Sequence, residues 1–117
     1  MLRSRAIVIR ATGERDELVR EARRLTDVVT SLPRVHERVA DEAAEEIGAA
    51  TREIDEIARL AGSLDGAAPP EERATRSRLR ALGAEAKARR RRLRAIRRRL
   101  LEEQYYADDA YGDRLAA

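Results

Sequence analysis

The sequence predicts an all-α protein: an antiparallel helical hairpin of coiled-coil type, with a short N-terminal β-strand arm and a break or kink at Pro33. Three observations point there. Apolar residues recur at steps of three and four over most of the 117 residues. Charged residues make up 40% of the chain and aromatics only 3%, with no Trp or Phe, so a thick globular core is hard to build. Gly62-Ser-Leu-Asp-Gly-Ala-Ala-Pro-Pro70 interrupts the helical pattern once, at a place that lets two long helices fold back on each other. High charge also suits a disordered chain, but sustained periodicity argues against that reading.

Residues 1–13 are expected to form the arm. Arg5-Ala-Ile-Val-Ile-Arg10 is a β-branched apolar run followed by Ala11-Thr-Gly13, the pattern of a strand and a turn. The chain offers no second strand to pair with it, so Ile7, Val8 and Ile9 are candidate contacts for a partner that adds a strand.

The helical body is expected over 14–106, with helices near 14–32, 34–64 and 71–106 and a loop at 62–70. Glu14, Asp16 and Glu17 favour a helix start through the macrodipole. The stripe runs through Leu18, Ala22, Leu25, Val28 or Val29, Leu32, Val35, Val39, Ala43, Ile47, Ala50, Ile54, Ile57, Ala61 and Leu64. It keeps its phase across Pro33, so one kinked helix and two separate helices both fit. Thr30-Ser31 as a start signal and proline's suitability for a first turn favour the break.

Past the loop, Pro69-Pro70 and Glu71-Glu72 open a second long helix. Its seam is Thr75, Leu79, Leu82, Ala86, Arg89, Leu93, Ile96 and Leu100. Gly83 weakens it by about 1 kcal/mol relative to Ala. Residues 107–117 read as an acidic tail that has no structure by itself. The seam is thin and one-sided, which calls for further helices from copies of the chain or from another protein. Leu93, Ile96, Leu100, Tyr105, Tyr106 and Tyr111 are the candidate partner contacts.

Eight arginines fall between Arg89 and Arg99, and of the 25 basic residues only Lys87 is a lysine. Folding the hairpin about its loop sets Glu37, Asp41, Glu42, Glu45 and Glu46 beside residues 86–95, so acid faces base. Residues 71–101 hold 13 bases and 3 acids, whereas residues 35–61 hold 3 bases and 8 acids, so positive charge is left over. Three outlets compete for it: the tail carboxylates Asp108, Asp109 and Asp113, an acidic protein partner, and nucleic-acid phosphate. Arg89, Arg90, Arg91, Arg94 and Arg98 are the candidate contacts for the last two.

Catalysis, metals and cofactors find little support. There is no cysteine, a single histidine (His36) and no Gly-rich phosphate loop. The acidic pairs Asp41/Glu45 and Glu42/Glu46 face arginines rather than further ligands. No apolar run approaches the roughly 20 residues of a membrane span, and no signal-peptide pattern is visible. The expectation is a non-enzymatic structural protein, cytoplasmic or virion-associated, with no cofactor. It would act as a homo-oligomer with other assembly components and without a membrane. The alternative is a nucleic-acid-binding accessory protein using residues 89–99.

A family resemblance leans toward assembly. Ala6-Ile-Val-Ile9, Thr12-Gly13, Glu17-Leu-Val-Arg-Glu-Ala-Arg-Arg-Leu25, Val35-His-Glu-Arg-Val-Ala-Asp-Glu-Ala43, and Ala68-Pro69 before Thr75-Arg-Ser-Arg-Leu79 follow one another in an order known elsewhere. It is the order of an apolar strand, Gly turn, spaced-leucine helix, Ala-rich helix and Pro loop that resembles the tail-completion, or head–tail joining, proteins of tailed phages. Thr75 is followed by Arg76 where the family has Gly, and a long helix occupies 71–106 where it has strands. What the resemblance implies is therefore the class alone: a component of a virion or tail-like particle.

Overall fold

The computed structural model describes the backbone of residues 2–116 and the side chains of residues 4–103. It contains three helices: α1 (Leu2–Ser31), α2 (Glu37–Ser63) and α3 (Pro69–Ala116). Each packs on the other two. The α2–α3 pair is the expected antiparallel hairpin, and α1 completes a three-helix bundle.

Cross-helix contacts fix the directions. Ser4 Oγ donates to Glu72 Oε1 at 2.8 Å, and Glu21 meets Arg94 and Arg97, so α1 and α3 run parallel. Glu42 meets Arg99 and Glu56 meets Arg78, so α2 runs against α3.

The expected strand at 5–10 is instead part of α1. The reason lies in spacing: Ile7, Ala11, Glu14, Leu18, Glu21 and Leu25 follow steps of four and three, a single heptad seam through the supposed turn. A helix here satisfies its own backbone groups, which a lone strand cannot. Gly13 lies on the exposed side, with no heavy atom near its missing Cβ.

Pro33 does separate two helices. The break spans residues 32–36, and His36, rather than Thr30 or Ser31, is the N-cap of α2; its Nδ1 accepts from the Arg38 amide at 3.2 Å. Thr30 and Ser31 end α1 rather than begin α2. Their hydroxyls turn back onto the Thr26 and Asp27 carbonyls at 2.9 and 2.6 Å. The second connection turns at Gly66, whose φ of 76° is a backbone state that side chains disfavour.

The core is a column of aliphatic layers. α1 gives Ala11, Leu18 and Leu25; α2 gives Val39, Ala43, Ala50 and Ile57; α3 gives Leu79, Leu82, Ala86, Leu93, Ile96 and Leu100. The thin seam that called for outside helices is thus covered within the chain, up to Leu100.

The molecule measures 72 × 22 × 16 Å. Its length equals that of α3 alone, since 48 residues rise roughly 72 Å, while the 30 residues of α1 rise roughly 45 Å. Because Ser4 meets Glu72 at one end, the excess lies at the other: the last turns of α3 run past the α1–α2 connection. Residues 107–116, expected as a tail, continue this helix.

Candidate functional site

The arginine run of α3 is the feature most in need of explanation, and the three helices divide it into two sets. Arg89 sits in the seam between Leu82 and Ile96. It is held by two acids of α2: Nε donates to Glu53 Oε1 and Nη1 to Glu46 Oε2, each at 2.6 Å. Burial pushes its pKa down, but the hydrogen bonds and charges of Glu53 and Glu46 outweigh this, and the guanidinium is held above its ordinary value. Glu53 is itself buried, and its second oxygen has no hydrogen-bond partner.

On the α1 side the central acid is Glu21, only 1% exposed. Arg94 reaches its Oε1 at 3.2 Å and Arg97 its Oε2 at 3.4 Å, while Arg24 of the same helix donates to Oε1 at 3.0 Å. Arg90 lies 3.6 Å from Glu17 and 3.9 Å from Glu14. Glu14 Oε2 is buried without a hydrogen bond, so Arg90 supplies it with charge but not with a proton. Further out, Arg99 donates to Glu42 at 2.8 Å, and Arg78 donates to Glu56 at 3.1 Å. The hydrogen bond and charge of Glu56 raise the Arg78 pKa.

Five of the eight arginines therefore join α3 to its neighbours: Arg89, Arg90, Arg94, Arg97 and Arg99. Arg91, Arg92 and Arg98 are exposed and have no carboxylate within 4.0 Å among the described residues. Acid does face base along α2, displaced from the register expected from the loop by about one turn where Glu46 meets Arg89 and about two and a half turns where Glu42 meets Arg99. Among the residues proposed to meet phosphate or an acidic partner, Arg91 and Arg98 are open, while Arg89, Arg90 and Arg94 are engaged inside the bundle.

The expected apolar partner contacts also divide. Leu93, Ile96 and Leu100, at 0, 4 and 3% exposure, are core residues and not surface contacts. They are buried because α1 closes over a seam that the hairpin leaves open. Ile7 and Val8 pack partly against that core, and Ile9 is 64% exposed. The side chains of Tyr105, Tyr106 and Tyr111 lie outside those described. Leu101, where α3 leaves the bundle, is 46% exposed.

The sequence reading missed Glu21 and Glu53 as seam acids. Their signal was present: Glu21 falls three after Leu18 and four before Leu25, and Glu53 three after Ala50 and four before Ile57. Choosing the apolar neighbours Ala22 and Ile54 as the seam hid the charged positions that answer Arg89 and Arg94.

A shallow groove lies between α1 and α3. Ile7, Ala11, Leu79 and Gly83 contribute to its floor, and Arg10, Arg80 and Lys87 to its rim. The two helices pass close at Gly83, where an added Cβ would lie 3.7 Å from Ala11 Cα, an ordinary van der Waals contact. Among the described residues no three His, Asp or Glu side chains gather as a metal site, and no helix is long and apolar enough to cross a membrane. Comparison with family models, with curated proteins and with solved structures finds no match to the chain.

Proposed function

We propose that the chain is a non-enzymatic assembly protein: a stiff three-helix rod that joins a larger particle, such as a phage virion or tail-like assembly. It docks through the projecting end of α3, onto copies of itself and onto other components. The observation that carries this reading is the overhang of α3. α3 runs on past the end of its bundle, leaving at the exposed Leu101, and its sequence places Tyr105 four residues later and Tyr106 and Tyr111 beyond. Tyrosines at such a place are suited to interfaces, because one side chain combines apolar area with a hydrogen-bonding end. The exposed Ile9 offers a second, smaller contact at the opposite end of the rod. The resemblance to head–tail joining proteins favours a particle over a free adaptor.

The competing reading, a nucleic-acid accessory protein acting through Arg89–Arg99, has less support in that segment, because five of its eight arginines are engaged within the bundle. The mass of the full chain in solution tests the assembly reading. Sedimentation equilibrium from about 1 to 100 µM should show a self-associated species, the concentration range in which weak specific contacts become populated. L101E combined with Y105E should return it to monomer without loss of helix content. A wild-type monomer at every concentration would remove self-association from the proposal.

A further inference from the structure

The cations of α3 that the bundle does not use form a pattern of their own. Arg73, Arg76, Arg80, Lys87, Arg91 and Arg98 succeed one another at steps of three, four, seven, four and seven. Those steps keep them within about 60° of the helix surface and spread them along roughly 38 Å of rise. All are exposed except the half-buried Arg76, and none has a carboxylate within 4.0 Å among the described residues. From α1, Arg10 joins the rim beside Arg80 and Lys87. Of the α1 acids beside this ridge, Glu17 faces Arg90 and Glu21 is enclosed by Arg24, Arg94 and Arg97; Glu14 lines the groove with Arg10, Arg80 and Lys87 and has Arg90 3.9 Å away.

We infer that this ridge is a docking surface for the phosphate backbone of duplex DNA, bound without regard to base sequence. Three features select that occupant. The ridge is straight and stiff, so it suits a regular array of negative charge rather than a single anion. It is nearly all arginine, whose planar fork pairs with phosphate in two hydrogen bonds. Its exposed neighbours Ser77, Ala81, Ala84, Ala88 and Ala95 are small, with no large apolar or aromatic anchor. A protein interface would need such anchors at its centre, and a lipid surface would need apolar side chains to insert. The ridge ends at Arg98, one turn before the projecting end of α3, and its binding does not depend on the assembly reading.

The test is binding of the full chain to a random-sequence 20-base-pair duplex, followed by fluorescence anisotropy between 50 and 200 mM salt. Six phosphate contacts predict a slope of log K against log salt of about −5, or about a thousandfold loss of affinity over that range. The variant R80Q/K87Q/R91Q/R98Q should bind at least about a hundredfold more weakly at 50 mM salt, with a slope of about −2, because four contacts are gone. R38Q/R52Q/R59Q removes three exposed cations from α2 and should change affinity less than about threefold, since those residues lie off the ridge. Among the described residues the ridge side chains hold no ion pair, so the variant should fold. R76Q/R80Q and R91Q/R98Q, each removing two contacts, give the same ordering should the fourfold change lower the melting temperature. Absence of binding at 50 mM salt, or equal losses from the ridge and α2 variants, would overturn the inference. Tighter binding to poly-glutamate or to phosphatidylserine vesicles than to the duplex at equal salt would overturn it in favour of an acidic protein or a membrane surface.

Discussion

Arg89 of α3 and Glu53 of α2 meet at 2.6 Å inside the seam, a charge pair at positions where a three-helix bundle would ordinarily place two aliphatic side chains. Removing Arg89 leaves Glu53 buried without a partner, whereas removing Glu53 leaves Arg89 with Glu46. Arg89→Ala should therefore cost about 2–3 kcal/mol, somewhat below the full value for a buried pair because Glu46 and part of the guanidinium reach solvent. The double change Arg89→Met with Glu53→Leu should recover most of that loss, which urea unfolding of the single and double variants measures. The guanidinium is held above its ordinary pKa, so its contribution is fully present below that ordinary value and disappears only as pH rises through the still higher folded value. Raising the pH through the tyrosine range should leave the Arg89→Ala penalty unchanged.

Glu21 is a different case, because the arginines around it are partly wet. When the carboxylate is removed, Arg24 and Arg94 can turn to water. Glu21→Leu places an apolar side chain between the layers of Leu18 and Leu25 and should leave stability within about 1 kcal/mol of wild type. Glu21→Ala, which opens a void at the same place, should cost about 2 kcal/mol. The ordering of the two midpoints in urea checks this.

Two glycines should respond in opposite directions. Gly83 has ordinary helical geometry, and an added methyl would meet Ala11 at van der Waals distance, so Gly83→Ala should stabilise by about 1 kcal/mol. Gly66 holds a left-handed turn, so Gly66→Ala should destabilise by about 1 kcal/mol although nothing touches the new methyl. Thermal melts followed by circular dichroism resolve shifts of this size.

The N-terminal run offers a direct comparison of helix with strand. Ile9 is mostly exposed, so Ile9→Ala should change stability by less than about 0.5 kcal/mol. Ile9→Pro removes a hydrogen bond from the interior of α1 and should cost about 3 kcal/mol together with a measurable loss of helix signal. A strand arm lying outside the folded body would tolerate both changes equally.

Much of the fold could be read from spacing. The seam residues of α3, a connection within the expected 62–70 segment (observed at 64–68), the break at Pro33 and the meeting of α2 acids with α3 bases all follow from period and punctuation. Ile7, Val8 and Ile9 misled because β-branched residues signal strands, and the tertiary contacts of α1 with α3 override that weak local preference. The closure of the seam by α1 was hidden because a period shows that a face is apolar but not which helix covers it. The charged seam was hidden because Glu21 and Glu53 sit one residue before Ala22 and Ile54, and an apolar template selects the latter. The ridge from Arg73 to Arg98 emerges only after ion pairs have claimed the other arginines, and those pairs depend on all three helices.

The central claim is that the basic residues of α3 fall into a set that holds the bundle together and a set that does not. Urea unfolding of two triple variants tests it most directly: R89Q/R94Q/R97Q against R80Q/R91Q/R98Q, each removing three positive charges from the same helix. The division predicts a loss of several kcal/mol for the first and less than about 1 kcal/mol for the second. Equal losses, or a larger loss in the second, would contradict it.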